Sequence, residues 1–128
     1  MDYVRDEVDI ALDAVEARDY ATAVRILEPL TERGDAKAMI NLALLYSCGW
    51  GVPLDARKAA EMYLRVAEMG IRERLISALA YNNLAALYVC EAPGIASDVE
   101  QAARYWRLAE ELGLPIDRFS RKPQVDAR

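Results

Sequence analysis

Residues 38–70 read AMINLALLYSCGWGVPLDARKAAEMYLRVAEMG, and residues 80–113 read AYNNLAALYVCEAPGIASDVEQAARYWRLAEELG. Ala38, Leu42, Ala43 and Tyr46 recur as Ala80, Leu84, Ala85 and Tyr88 at a constant shift of 42. Asp55, Ala59, Tyr63 and Gly70 recur as Asp98, Ala102, Trp106 and Gly113 at a shift of 43. A period of this size marks a repeat protein, whose single unit cannot bury its apolar face alone and must stack on a neighbour. The extra residue falls between Tyr88 and Asp98, where Glu91-Ala92-Pro93-Gly94 replaces Gly49-Trp50-Gly51, and insertions in repeats belong in turns. A shorter copy precedes these two, since Ala23, Leu27 and Gly34 stand 36 residues before Ala59, Tyr63 and Gly70. Its partner helix is then Tyr3 to Ala17, joined through the tight turn Arg18-Asp19-Tyr20.

Within each copy, small and large apolar residues are spaced i, i+4, i+5 and i+8, which places them on one face of an α-helix. Gly34, Gly49, Gly70 and Gly113 suit helix ends, and Asp55 and Asp98 suit the caps of the helices that follow. Ser97 with Glu100 offers an alternative capping box to Asp98. The spacing predicts helices at 2–17, 20–33, 35–48, 55–69, 72–90 and 98–112, hence three helix pairs in an all-α chain. Pro29 is expected to kink the second helix or end it early. Ile71 to Ile76 lengthens the fifth helix at its start, with Ile71, Leu75 and Leu79 along one side.

The chain has 128 residues, 54% hydrophobic and 29% charged, enough to bury a core as one domain without disulfide or metal staples. A net charge of -5 without a clustered basic surface excludes a nucleic-acid footprint. The tail Leu114–Arg128 is the basic part, with Arg118, Arg121, Lys122 and Arg128 against Asp117 and Asp126, so the body before it is the more acidic. No apolar stretch of about 18 residues is present, which argues against a membrane span. The acidic start Met1 to Glu7 lacks the layout of a signal peptide, and a cytoplasmic location is expected.

Histidine is absent, which removes the commonest general base and the commonest metal ligand. The carboxylates carry no motif and read as solvated helix faces, so neither catalytic residues, a metal site nor a cofactor is expected. Asp2, Asp6, Asp9, Asp13 and Glu16 form an acidic stripe on the first helix, either a polar N-terminal cap or a docking strip for a basic partner. Cys48 and Cys90 occupy equivalent positions in successive repeats, about 8–10 Å apart between helices and beyond disulfide reach, so both are expected as free thiols. Gly49-Trp50-Gly51 is a turn, without the preceding strand or the Lys-Ser/Thr of a phosphate loop. Trp50 itself has two readings, packing on a neighbouring helix or contact with a partner. Ile116 and Phe119 are expected to fold back over the last repeat, while 120–128 is expected to be a disordered tail.

The order Ala38, Leu42, Ala43, Tyr46, Gly49, Gly51, Val52, Asp55, Lys58, Ala59, Tyr63, Ala67, Gly70 resembles a Sel-one-like repeat, the longer relative of the tetratricopeptide repeat. Ala80 to Gly113 matches again and departs in the loop, and Met1 to Gly34 resembles the shorter tetratricopeptide form. The resemblance implies a right-handed α-α superhelix of about three stacked helix-turn-helix repeats, near 1–34, 35–70 and 71–113, with a short C-terminal cap ending a domain at 119. It implies a non-catalytic adaptor that captures a protein segment on the inner face, formed by the first helix of each pair. Positions there outside the family core are Val8, Leu12, Val15, Ile40, Leu44, Ser47, Asn82, Ala86 and Val89, with Trp50 beside them. An immunity protein that neutralises a bacterial toxin is the alternative, and a small enzyme the remote one. A homodimer through the inner face or the extended fifth helix is a further partner reading.

Overall fold

Six helices follow one another in the computed structural model, which describes residues 6–70 and 74–113. They are α1 (Glu7–Glu16), α2 (Tyr20–Glu32), α3 (Ala36–Cys48), α4 (Ala56–Ala67), α5 (Arg74–Val89) and α6 (Val99–Glu111). The described residues contain no strand. Asp2, Ile71, Ile116, Phe119 and the tail 120–128 lie outside the described residues, so the expectations placed on them are not addressed by the fold.

The helix starts are built from one device. Asp6, Asp19, Asp35, Asp55 and Asp98 each precede a helix and accept the backbone N–H three residues on, from Asp9, Thr22, Ala38, Lys58 and Gln101. Each bond satisfies one of the four amide groups that a helix N-terminus leaves without a partner. Asp98, not Ser97 with Glu100, is thus the cap of α6. Asp6 and Asp9 close a reciprocal capping box at 2.9 and 3.0 Å. The two longer turns close alike, because the Asp55 amide donates to Tyr46 O and the Asp98 amide to Tyr88 O, both at 2.9 Å. Pro29 does not end α2 early. The helix continues to Glu32, and the Pro29 carbonyl still accepts from Arg33.

Neighbouring helices pack in chain order, and α3 also touches α5, the arrangement of a helical-repeat superhelix. Ala38, Ala43, Ala59, Ala80, Ala85 and Ala102 are fully buried and let helices approach closely, while Tyr63 and Trp106 fill the intervening space. The main core runs from Val8 to Leu87, and a smaller cluster of Ala85, Ala102 and Trp106 joins it through Tyr88 and Tyr105. The first turn of α5 is tied down twice. The buried Ser77 Oγ donates to Val66 O at the end of α4, and Arg74 Nε donates to Leu112 O beyond α6, both at 2.9 Å.

Candidate partner-binding surface

On α1, α3 and α5, the face turned away from the second helices leaves Ile10, Leu44 and Leu79 exposed at 50%, 39% and 41%. Within α3 this face runs through Lys37, Asn41 and Leu44, a helical spacing of four and three residues. The shift of 42 carries the Lys37 and Leu44 positions to Leu79 and Ala86 on α5. Lys37 Nζ lies 3.5 Å from Asp6 Oδ2, which bridges α1 and α3 across the same face. Asn41 Nδ2 donates to Lys37 O at 2.8 Å.

The ten positions expected from the sequence divide into five groups. Val8 and Ile40 are core residues, Ile40 only 6% exposed, and neither can meet a partner in the folded chain. The reason is helix rotation. Ile40 belongs to the main core, and Ser47, seven residues on, lies with Asn83 of α5 beside the Tyr63 hydroxyl. Ser47 also donates to Leu44 O at 2.7 Å, and the Asn82 Oδ1 accepts the Trp106 indole N–H at 2.8 Å, so both side chains are engaged internally. Leu12 and Val15 pack half-buried against the main core, and Val89 packs against the Trp106 cluster. Leu44 is exposed and Ala86 half-buried on the face described. Trp50 is stacked on Tyr20 with ring centroids 5.1 Å apart while one edge stays exposed, so packing on a neighbouring helix is its observed role.

Sequence reasoning missed Ile10, Lys37 and Asn41. The signal was present in the repeat itself, since Lys37, Asn41 and Leu44 follow a spacing of four and three residues that avoids the recurring Ala38, Leu42, Ala43 and Tyr46. Reading 40, 44 and 47 as the outward line turned the helix toward its neighbour.

The titratable groups show structural causes. Burial pushes the Tyr63 hydroxyl up to about 12, with the hydrogen bond from Ser47 pulling the other way. Burial likewise raises Tyr81 and Tyr88. The Thr22 hydroxyl, donating at 2.7 Å, holds Asp19 below the ordinary carboxylate range. Among the described residues no group of three or more cysteine or carboxylate side chains could hold a metal ion, and no helix is long and apolar enough to cross a membrane. Cys48 and Cys90 are free thiols.

Two cavities lie between pairs. One, of about 240 Å³, separates α2 from α4, with Leu42, Tyr46 and Met62 beneath Glu28, Glu32, Lys58 and Arg65. The other, of about 360 Å³, lies between α4 and the α5–α6 turn, against Arg57, Glu61, Tyr88 and Asp98.

Residues 36–71 and 78–114, more than half of the chain, match the Sel1 repeat. The chain is similar to the crystal structure of a Sel1 repeat protein from Oxalobacter formigenes, at 27% identity and a TM-score of 0.67. It is also similar to c5321, a protective antigen present in uropathogenic Escherichia coli strains displaying an SLR fold, at 25% identity and a TM-score of 0.69. Each likeness covers 84% of this chain, which spans only 40% of the first structure and 22% of the second. A comparison with curated proteins found no match.

Proposed function

The chain belongs to the Sel1 repeat family, typically a protein-interaction module, and from that premise we propose that it is a non-catalytic adaptor capturing a protein segment on the face of α1 and α3. The observation that carries this reading is the pairing of Ile10 and Leu44, large apolar side chains left exposed on neighbouring first helices beside the Asp6–Lys37 bridge. An apolar strip rimmed by charge suits an amphipathic or extended segment, whose apolar side chains bury on the strip while its polar groups meet the rim. The acidic first helix favours a segment with a basic flank.

The test is affinity capture from the source cell with the full chain as bait, comparing the native sequence with Ile10→Ser plus Leu44→Ser. Capture of the specific partner should weaken at least tenfold, about 1.4 kcal/mol, with a nearly unchanged melting temperature. Equal capture by the folded variant would move the binding face elsewhere.

A further inference from the structure

Equivalent clefts at two successive junctions differ by an aromatic ring. At the later one, Tyr105 of α6 packs against Tyr81 and Tyr88 of α5, with both centroid separations 5.8 Å. One repeat earlier Tyr46 is the counterpart of Tyr88, but Met39 and Met62 stand in the positions of Tyr81 and Tyr105. The earlier cleft stays open as a groove of about 240 Å³ between α2 and α4, with Leu42, Tyr46 and Met62 beneath it. The chain's own packing one repeat later therefore sets the pattern for its occupant, a ring laid against a half-buried tyrosine.

The walls of this groove carry opposite charge. Glu28 and Glu32, one turn apart on α2, stand across from Lys58 and Arg65, two turns apart on α4, and all four are exposed. Among the described residues no ion pair joins the two walls. Lys58 Nζ lies instead 4.7 Å over the Tyr46 ring, so an exposed ammonium stands on a ring whose counterpart takes Tyr105. A cation on a flexible stem moves aside for an incoming ring at small cost. A segment bearing one sign of charge would be repelled by one wall, whereas a segment with a cation toward α2 and an anion toward α4 is attracted by both. In an extended segment crossing the groove, side chains i−2, i and i+2 point to the same side. The central one then enters the groove while the outer two reach the walls.

We propose that the groove between α2 and α4 binds an aromatic side chain of an extended partner segment, with a basic residue two positions to one side of the ring and an acidic residue two positions to the other. The ring packs on Tyr46 and Met62 as Tyr105 packs on Tyr88. The basic flank meets Glu28 and Glu32, and the acidic flank meets Arg65 and draws Lys58 off Tyr46. This site lies on the second helices, apart from the Ile10 and Leu44 strip, and does not rest on the reading of that strip.

The probe is the peptide Gly-Lys-Gly-Tyr-Gly-Glu-Gly, acetylated and amidated, titrated into the full chain while the methyl signals of Leu42 and Met62 are followed by NMR. The ring should shift both signals, with saturation by about 10 mM. Leucine in place of the peptide's tyrosine should weaken binding about tenfold, and glutamine in place of both its charged residues about threefold. In the protein, Met62→Tyr places the chain's own ring in the groove and should abolish the Leu42 shift at a nearly unchanged melting temperature. Glu32→Gln with Arg65→Gln alters only exposed groups and should weaken binding about threefold; this variant decides alone if Met62→Tyr unfolds. Absence of a saturable shift, equal binding of the leucine peptide, or unchanged binding by either folded variant would overturn the proposal. Shifts centred on Ile10 and Leu44 would put the segment on the α1 and α3 face and overturn it as well. So would N-acetyltyrosine amide binding as tightly as the peptide, since the groove would then be a small-molecule site.

Discussion

The junction between the first and second helix pairs and the junction between the second and third share one backbone plan but are sealed at opposite ends. At the first, the turn is tight: Trp50 stacks on Tyr20, and a Cβ on Gly51 would come within 2.8 Å of Tyr20 Cβ and 2.9 Å of its carbonyl oxygen. The groove between α2 and α4 at this junction stays open over Leu42, Tyr46 and Met62. At the second, Pro93-Gly94 replaces the tryptophan turn, Gly94 meets only the Arg57 side chain, and a cavity remains against Tyr88. The groove side is filled instead, by Tyr105 packed between Tyr81 and Tyr88 with both centroid separations 5.8 Å. Tyr81 and Tyr105 stand where Met39 and Met62 stand one repeat earlier. A repeat therefore fixes where helices lie, whereas single residues between its core positions decide which clefts remain.

The largest expected effect breaks the tight turn. Gly51 has φ +77 and backbone of Tyr20 against its missing side chain. Gly51→Ala should cost about 2–4 kcal/mol from left-handed strain plus the displaced contact. Gly94→Ala, at φ +83 but facing only the flexible Arg57 chain, should cost about 1–2 kcal/mol. Urea unfolding of the two variants measures the difference, and equal losses would mean that the first turn is not the closer-packed one.

A second comparison sets Tyr63 against its counterpart Trp106. The folded chain favours the neutral phenol, since burial raises Tyr63 from 10.0 to about 12. Its contribution is thus complete below pH 10 and is lost as pH rises toward 12, by about 2–3 kcal/mol at 1.36 kcal/mol per unit. Trp106 has no ionisation in this range. Tyr63→Phe should flatten the alkaline fall in stability measured by denaturant unfolding between pH 9 and 12, values spanning about the window of the shift. A slope that persists unchanged would assign it to other groups, Tyr81 and Tyr88 first.

The smallest effects come from exchanging the groove residues. Tyr105→Met should remove two ring contacts and cost about 1–3 kcal/mol. Met62→Tyr enters a groove with room for a ring and should change stability by less than about 1 kcal/mol. Thermal melting of both reads the asymmetry directly. A large loss from Met62→Tyr would show that the open groove cannot take a ring.

Much of the fold was legible because its signals are local, although Asp6 caps the first helix well after its predicted start at residue 2. Five aspartate caps act over three residues, and the recurrence of Ala38, Leu42, Ala43 and Tyr46 at 80, 84, 85 and 88 is a matter of counting. The ends of α2, α3 and α6 fall within one residue of those predicted. The candidate surface was legible only in part. Leu44, Ala86 and the position of Trp50 on a turn were seen, but Ile40 and Val8 were placed outside and are inside. An isoleucine beyond the recurring core pattern is equally consistent with a solvent face and with a seam to the next pair, since both lie less than half a turn from Leu44.

The sequence by itself determined the number of helix pairs, most of their boundaries and the absence of any histidine chemistry, because these follow from composition and from spacings within one or two turns of helix. Only the tertiary structure decided the rotation that buries Ile40 while leaving Lys37 and Ile10 outward, the stacking of Trp50 on Tyr20, and the groove left open over Met62. Each of these depends on which side chain of another repeat, some 30 residues or more away, comes to lie opposite, as Tyr20 does for Trp50. Such distances in sequence are crossed by packing alone, since shape and volume select the partner without leaving a period that can be counted.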